Sequence, residues 1–352
     1  MTDDTQPDIP ALFAENETLK AALRTATGRL TKERQRKTNL EQAIIEAAEA
    51  SFASLPHLKV PAPKLNGKRG RTPEVAYAHC ADWHIGFDPL EVTQARVDEY
   101  RDKIVRITDI QRADHPVDDC HLAFLGDICH GEQIYPASPY EQTASLIDQA
   151  ITDGADMVCQ FIVDMLTHFK HVHVPWESGN HGWLGPRKGG TYDPDTNLDR
   201  AMGLVVQRRL VASGIGEDRL TFDIPRAKRN LFGSMSVDRI GSWSVLLLHG
   251  HLLKGQSSYG GLPYYGFDKK GLALGHLGDH GTLPAFDDIS CGHYHRIASI
   301  PIMSDQLRVC GTLQSQTSFE VETLATFSRP AQMLMFVHPE HGVTAEYPIR
   351  LR

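Results

Sequence analysis

Five short apolar runs in this sequence each lead into a turn that contains glycine and an Asp, Asn or His side chain. Runs of this length, bounded by turn residues, are typical of buried strands. Glycine lets the backbone turn tightly near an ion, and mixed carboxylate, amide and imidazole ligands suit Mn, Fe or Zn. One such turn is common in solvated loops, but five in succession indicate a site for two metal ions. The runs and turns are Val75 to Ala78 with Asp82-Trp83-His84-Ile85-Gly86, Leu122 to Leu125 with Gly126-Asp127, Val172 to Val174 with Gly179-Asn180-His181-Gly182, Val245 to Leu248 with His249-Gly250-His251, and Ile289 to Cys291 with Gly292-His293-Tyr294-His295.

The order of these turns resembles that of the calcineurin-like metallophosphoesterase superfamily, and the resemblance extends over roughly Ala76 to Glu320. The turn from Asp82 to Gly86 is most similar to that of double-strand-break repair nucleases of the SbcD type. Gly311-Thr312, with Ser318 to Glu320 shortly after, resembles the strand that closes their catalytic domain. The resemblance implies an α/β (α+β) fold in which two facing mixed β-sheets are flanked by helices. Helical spacing in the first half of the region and short strands in the second fit this architecture.

The resemblance also implies which residues hold the two ions. Asp127 is expected to bridge them, because one carboxylate can serve two ions. His251, two residues beyond His249, is the alternative ligand of the second ion. We expect two divalent ions, manganese first, with iron or zinc as alternatives. The remaining implied ligands are Asp82, His84 and His295 at the first ion, and Asn180, His249 and His293 at the second.

His181 follows an implied ligand directly, so its side chain is expected to point elsewhere. We assign it as the general acid, or as a donor to the phosphate; the alternative is that it only fills the loop. In the superfamily an acidic residue commonly follows this histidine, whereas this chain has Gly182. What orients the loop around His181 is therefore an open question at this point.

Residues 1–55 are expected to form a helical or coiled-coil segment. Ala, Leu, Glu and Lys dominate from residue 11, and apolar residues fall on heptad positions, interrupted by Gly28 and by the charged run Lys32 to Lys37. We expect self-association or partner binding through residues 11–55; the alternative is one amphipathic helix packed on its own domain. The main heptad positions are Leu12, Leu19, Leu23, Leu30, Leu40 and Ile44.

Residues 56–73 form a proline-rich linker with five positive residues between Lys59 and Arg71 and no acid. This run is either a contact for a phosphate backbone or a solubilising tether. Residues 74–352 form the expected catalytic domain. Within it, residues from about 183 to 242 carry ten Lys and Arg against seven acids, and we expect a substrate-facing insertion there.

Composition limits the setting in which this chain works. No apolar run approaches the ~18 residues that a membrane span needs, and no signal-like segment follows the acidic start. The six cysteines form no C-x-x-C pair and fall mostly in predicted strands, which is typical of a reducing cytoplasm. We therefore expect a cytoplasmic protein without a membrane segment.

Three functions remain open from the sequence. The first is a phosphodiesterase that acts on DNA, a nuclease; Tyr259, Tyr264, Tyr265 and Phe267 lie in a glycine-rich stretch and could stack on bases, or could pack the loop down. The second is a phosphomonoesterase or small-nucleotide phosphohydrolase. The third is a metal-binding interaction module with weak catalysis, which Gly182 favours. Residues 76–352 carry 24 Lys and Arg against 34 Asp and Glu, so broad electrostatic capture of DNA is not expected.

Overall fold

The computed structural model describes residues 57–65, 71–134, 142–184, 195–226, 234–255, 261–302, 305–316 and 329–352, with some residues between Lys20 and Lys32. The chain divides into two compact units, Met1–Ala47 and Ala48–Arg352. The described residues of the first unit are helical. The heptad positions, Tyr259, and Ser318 to Glu320 lie outside the described residues.

Helices alternate with strands in the first half of the second unit, and strands predominate in its second half, as the sequence predicts. The elements are β1 Glu74–Cys80, α1 Leu90–Gln111, β2 Val117–Leu125, α2 Leu146–Ala150, α3 Asp153–Leu166, β3 His171–Glu177, α4 Leu198–Ala212, β4 Leu220–Asp223, β5 Met235–Ile240, β6 Trp243–Leu248, α5 Tyr264–Asp279, β7 Asp288–Cys291, β8 Ala298–Ile302, β9 Asp305–Val309, β10 Ala331–His338 and β11 Gly342–Arg350.

Two mixed sheets are formed by the described strands. The first has six strands in the order β11-β10-β1-β2-β3-β4, in which β1 to β4 are parallel and β10 is antiparallel to both β1 and β11. The second has five strands in the order β5-β6-β7-β9-β8, with β6, β7 and β9 parallel. The predicted pair of mixed sheets flanked by helices is confirmed.

Apolar residues fill three layers around these sheets. Between the sheets, Tyr77 and Leu125 of the first pack with Val245 and Leu247 of the second. Outside the first sheet, helices α1 to α4 cover a core that includes Trp83. Outside the second, α5 contributes Phe267 and Leu274, among other residues. The strands β1 and β2 are buried on both faces, which explains why they read as continuous apolar runs instead of alternating patterns.

The sequence does not predict helix α5, because its sixteen residues are rich in glycine and favour a loop. Four glycines lower its intrinsic helix propensity, but burial of Phe267 and Leu274 against the second sheet offsets that cost. The range predicted as an insertion contains α4, β4 and β5, and these strands pair into the two sheets.

The described part of the basic linker, which belongs to the second unit, contacts other parts of that unit. The backbone N–H of Leu58 donates to the carbonyl of Ser213 after α4, 2.8 Å away. Arg71 forms an ion pair with Asp114, 2.7 Å long.

All six cysteines are buried thiols. Among the described residues, no helix combines the length and apolar character needed to cross a membrane.

Candidate metal centre

The implied ligands all lie in turns at the carboxyl ends of strands. Asp82, Asp127 and Asn180 follow β1, β2 and β3 of the first sheet; His249 follows β6, and His293 and His295 follow β7, in the second. Backbone hydrogen bonds join the turns: Asp82 N–H donates to Gly126 O at 3.0 Å, and Gly292 N–H donates to His249 O at 2.9 Å. The two sheets therefore bring seven implied ligands from five turns to one place.

Asp82, His84 and His295 form the first group. The Nε2 atoms of the two histidines face each other at 3.0 Å. They lie 3.8 and 3.5 Å from Oδ1 of Asp82. That oxygen is buried and has no hydrogen-bond partner, although buried polar atoms normally have one. The other carboxylate oxygen of Asp82, Oδ2, accepts the N–H of His293 at 2.8 Å. Two imidazole nitrogens directed at an unpartnered carboxylate oxygen are a suitable donor set for a divalent cation.

Asp127, His249 and His293 form the second group, with ligand atoms within 4.8 Å of one another. Oδ2 of Asp127 lies 2.9 Å from Nε2 of His249. The same nitrogen lies 3.1 Å from Oδ1 of Asn180, which brings this amide to the group. Nδ1 of His249 contacts the carbonyl of Leu125 at 2.8 Å, so the ring is fixed with Nε2 facing the group.

His251 lies beside the second group. Its ring centroid is 6.3 Å from that of His293 and 5.3 Å from that of Trp183, to which the ring is nearly perpendicular. Its Nδ1 is buried without a hydrogen-bond partner. His249 and not His251 is therefore the residue in contact with the carboxylate of Asp127.

The backbone of the two groups is held in an unusual conformation. Among the described residues, only five other than glycine have positive φ, and all five are implied ligands. A left-handed backbone costs a residue with a Cβ atom about 1–2 kcal/mol, so the surrounding contacts must impose it. Such strain is concentrated at functional sites. The φ angles are 52° for Asp82, 48° for His84, 51° for Asp127, 73° for His293 and 55° for His295.

Asp199, in the first turn of α4, positions two of the turns, and the sequence did not predict it. Its fully buried carboxylate accepts N–H groups of Asp127 at 2.8 Å, Cys129 at 2.9 Å and Gly179 at 2.9 Å. Burial and the nearby charge of Asp127 raise its pKa to about 6. Nothing in the sequence marked it, because an acidic residue in the first turn of a helix also fits simple capping.

The first turn is held by residues from the end of the chain. Gln332 on β10 accepts the N–H of Ala81 and donates to its carbonyl, both at 2.9 Å. The hydroxyl of Thr312 donates to the carbonyl of Asp82 at 2.7 Å. The N–H of Leu313 donates to the same carbonyl at 3.0 Å. The conformation of Asp82 therefore depends on residues that lie far beyond it in the sequence.

His181 lies next to residues of both groups. Its N–H donates to Oδ1 of Asp127 at 2.7 Å, and its Nδ1 contacts the carbonyl of His130 at 2.9 Å. Its ring centroid is 4.6 Å from that of His84. His84, His130 and His181 can also be regarded as a three-imidazole group. The side chain of His181 is thus fixed next to the first group.

The structure answers what orients the loop at Gly182. The carbonyl of Gly182 accepts the N–H of Leu198 at 2.6 Å. A Cβ atom at position 182 would lie 2.3 Å from Oδ1 of Asn197. Asn197 caps α4 by accepting the N–H of Asp199 and donates to the carbonyl of Gly179. An acidic residue would not fit at position 182, and the helix cap replaces it in holding the loop.

The protonation states of the groups suit cation binding, which requires neutral imidazoles and ionised carboxylates. Burial lowers the pKa of His84 and of His293 well below the usual value. Burial opposes the charge of Asp127, but His249 and His181 lower its pKa well below the usual range. Burial also opposes protonation of His249, yet Asp127 raises its pKa to about 9. A bound cation would replace that proton.

Two residues that suggested a nucleic-acid substrate have different surroundings. Trp83 is buried and packs against Phe124 and Phe161, with ring centroids 5.5 Å away in both cases. Tyr265, in the first turn of α5, is 65% exposed. Trp83 therefore stabilises the core and is inaccessible to a substrate, whereas Tyr265 is available.

No protein-family model and no curated protein matches this sequence. Several solved structures match the fold. Vacuolar Protein Sorting 29 from Cryptosporidium parvum is 15% identical, with a TM-score of 0.37 over 79% of this chain and 92% of that chain. A predicted phosphoesterase from Streptococcus pneumoniae is 13% identical, with a TM-score of 0.32 over 79% and 99% of the two chains. An archaeal phosphodiesterase is 10% identical, with a TM-score of 0.34 over 78% and 99%.

Proposed function

We propose that this protein is a metal-dependent phosphodiesterase that binds two divalent ions, with manganese preferred, and acts on DNA as a nuclease. The observation that carries the metal assignment is the buried Oδ1 atom of Asp82, which has no hydrogen-bond partner and faces Nε2 of His84 and of His295. All three atoms can donate an electron pair, so a cation is the partner that would satisfy them.

Asp127 is the proposed bridge between the ions. The N–H of His181 donates to its Oδ1, which leaves Oδ2, the oxygen that faces His249, for cation binding. The other proposed ligands are Asp82, His84 and His295 for one ion, and Asn180, His249 and His293 for the other.

The proposed chemistry is in-line attack of water on phosphorus. Divalent ions held by the seven proposed ligands would lower the pKa of a bound water and neutralise charge on the phosphate. The chain contributes His181, whose Nδ1 is held by the carbonyl of His130. Its Nε2 is therefore the atom that protonates the leaving oxygen.

The charge of the site favours a diester over a monoester. With Asp82 and Asp127 as its only carboxylate ligands, the loaded site has a net charge of about two positive. A hydroxide and a singly charged phosphodiester neutralise it, whereas a monoester dianion adds an uncompensated charge. The acidic balance of residues 76–352 does not alter this local count.

Two exposed tyrosines support a nucleic-acid substrate. Tyr264 and Tyr265 begin α5, and Phe267 of the same helix packs on Tyr294, with ring centroids 5.1 Å apart. Tyr294 lies between His293 and His295 in sequence. Base stacking on exposed aromatic side chains does not require a strongly basic surface.

The test compares four substrates with Mn²⁺ added: a nitrophenyl diester, a nitrophenyl monoester, single-stranded DNA and duplex DNA. We expect hydrolysis of the diester and of DNA, and little of the monoester. Turnover of the monoester alone would contradict the proposal in favour of a phosphomonoesterase. Retention of metal without turnover of any substrate would favour the interaction module.

Asp127→Asn tests the site itself. Because this substitution removes the charge that both ions share, we expect loss of bound Mn²⁺ and loss of turnover with an unchanged circular dichroism spectrum. The matched control is Asp218→Asn, which changes an exposed carboxylate. Full metal content and normal turnover in Asp127→Asn would show that the site assignment is wrong.

Tyr265→Ala tests the substrate class. Loss of one stacked base costs about 1–3 kcal/mol, so cleavage of single-stranded DNA at low concentration should fall about 5- to 150-fold. Turnover of the nitrophenyl diester should be unchanged. If Tyr265→Ala cleaves both single-stranded DNA and the nitrophenyl diester at the wild-type rates, base stacking no longer supports a nucleic-acid substrate. The diesterase assignment would still stand.

A further inference from the structure

Two histidines and an aspartate meet between the two sheets, apart from the proposed catalytic ligands. His121 lies on β2, His173 on β3 and Asp238 on β5, so both sheets contribute. His121 and His173 are direct neighbours across the parallel pair. His121 precedes Leu125, the last residue of β2, by about 13 Å along the strand. The cluster therefore shares no residue with the groups at the strand ends.

The three side chains converge on one point. Nδ1 of His121 lies 2.7 Å from Oδ2 of Asp238, and Nε2 of His173 lies 3.7 Å from its Oδ1. The two ring centroids are 4.8 Å apart at an interplanar angle of 65°. Zinc bonds to nitrogen and oxygen are about 2.0–2.2 Å long, so two ligands of a tetrahedral ion lie about 3.3 Å apart. The two observed nitrogen–oxygen distances, 2.7 and 3.7 Å, lie below and above that value.

Neighbouring residues fix the orientation of the ligands, as they do around metal-binding histidines. Nδ1 of His173 contacts the hydroxyl of Thr221 at 2.8 Å, so Nε2 is the nitrogen that faces Asp238. The hydroxyl of Tyr77 donates to Oδ2 of Asp238 at 3.0 Å. The N–H of Arg239 donates to Oδ1 at 2.7 Å. These contacts hold the carboxylate in place and leave lone pairs for an ion.

The charge around the cluster suits a cation. Burial, followed by the neighbouring His121, lowers the pKa of His173 to about 4, so its imidazole is neutral. Burial opposes the charge of Asp238, but the hydrogen bond with His121 lowers its pKa. Burial and the charge of Asp238 raise the pKa of Asp223, at the end of β4. Two carboxylates that repel each other are relieved by a positive ion between or beside them.

We propose that His121, His173 and Asp238 bind a zinc ion that joins the two sheets. Two imidazoles and one carboxylate, with a fourth position for water, are a common zinc ligand set. The side chains of His121 and His173 are 13% and 21% exposed, so solvent reaches the open position. The ion supplies a cross-link between β2, β3 and β5, and it takes no part in the proposed hydrolysis.

The first test counts ions in the full-length protein. Metal is removed with a chelator, Co²⁺ is titrated in, and visible absorption and cobalt content are measured after desalting. Relative to the wild type, His173→Ala and Asp238→Asn should each bind one equivalent less and lose the absorption of one tetrahedral site. His276→Ala, which changes an exposed histidine of α5, is the control and should bind as the wild type does.

Two further results separate this site from the catalytic one. Turnover of the nitrophenyl diester at saturating Mn²⁺ should be unchanged in His173→Ala. Thr221→Val keeps all three ligands and should weaken the affinity of the site about 10- to 100-fold. The same number of ions in all variants would overturn the proposal and leave a hydrogen-bonded cluster. Loss of diester turnover together with the ion would also overturn it, since the ion would then belong to the catalytic pair.

A second measurement uses only the wild-type protein, so it does not depend on whether the variants fold. Histidines are modified with diethyl pyrocarbonate with and without Zn²⁺, and each modified position is identified by mass spectrometry. Zinc should protect His121 and His173 while His276 stays reactive. Equal modification of His121 and His173 in both conditions would overturn the proposal. The outcome does not depend on the proposed function, because the catalytic ligands are read out separately.

Discussion

At the scale of single residues, His181 is held more firmly than a loop histidine needs to be. Its backbone and its ring are both fixed, by Asp127 and by the carbonyl of His130. A side chain that must reach the leaving group in one orientation benefits from such support, because misplacement of a proton donor slows the reaction. The same contacts explain why it lies beside the ligands without being one of the seven.

His181→Ala should retain both metal ions and lose turnover about 10²- to 10⁴-fold. The loss should be smaller for a nitrophenyl diester than for an alkyl diester, because a good leaving group needs little protonation. The measurement is kcat for both substrates together with metal content. His276→Ala serves as the control. Equal losses on the two substrates would show that His181 positions the phosphate and does not act as an acid.

The residues that the sequence identified and those that it missed differ in a physical way. Asp82, Asp127 and His249 each come after an apolar run and have a glycine close by in sequence, and that local pattern is readable without a structure. Asp199 acts through backbone N–H groups of residues far away in sequence, and no local pattern marks such contacts. Only the fold brings its carboxylate to the N–H groups of Cys129 and Gly179.

At the scale of elements, the turn after β3 and the start of α4 behave as one unit. Asn197 caps the helix, binds the carbonyl of Gly179 and fills the space next to Gly182. The position of helix α4 thereby determines the positions of Asn180 and His181. The close contact within this unit is the structural reason why position 182 is a glycine.

Gly182→Ala should destabilise the protein by about 1–3 kcal/mol, as overpacking commonly does, and should slow diester hydrolysis. The cause is the close approach of the new Cβ to Asn197. Asn197→Gly removes that side chain at little cost to the helix cap, so the double variant should recover part of the loss. Urea midpoints and turnover of the four proteins measure the coupling. Additive effects in the double variant would contradict the assigned contact.

Elements with a clear local pattern were predictable, and those defined by tertiary burial were not. The strands β1, β2 and β6 contain short apolar runs bounded by turn residues, a pattern that favours buried strands. Helix α5 contains Gly266, Gly271, Gly275 and Gly278, so its propensity argued against a helix. Packing of Phe267 against Tyr294 overrides that propensity. Apolar residues at helical spacing predict one helix from Tyr140 to Phe169, whereas the described part of this range forms two helices, α2 and α3.

At the scale of the whole molecule, the space between the sheets contains a buried acid. Glu177, at the end of β3, is fully buried and accepts a hydrogen bond from Ser236 of β5, while its Oε2 has no partner. Burial raises its pKa to about 8, with a further contribution from Asp223. The two sheets therefore meet around a carboxyl group that is neutral at neutral pH.

This group makes stability depend on pH. An unfolded chain releases the proton near pH 4.5, whereas the folded chain keeps it to about pH 8. The free energy of unfolding should therefore fall as pH rises through this range, by a few kcal/mol at about 1.4 kcal/mol per pKa unit. Glu177→Gln should flatten that part of the curve, and Glu340→Gln, at an exposed position, should not. Urea unfolding at about pH 5 and about pH 8.5 measures the slopes; equal slopes in wild type and Glu177→Gln would contradict the assigned pKa.

The pairing of β1 with β10 has a consequence for the order in which the protein is made. Strand β1 leaves the ribosome well before its partner β10, and Gln332, whose side chain holds Ala81, lies 251 residues beyond that residue. All seven proposed ligands are already present when His295 emerges. The conformation of Asp82 is not fixed until residues well beyond His295 have followed. A growing chain can thus fold its parallel strands first, but the proposed metal centre is completed only after β10 has emerged.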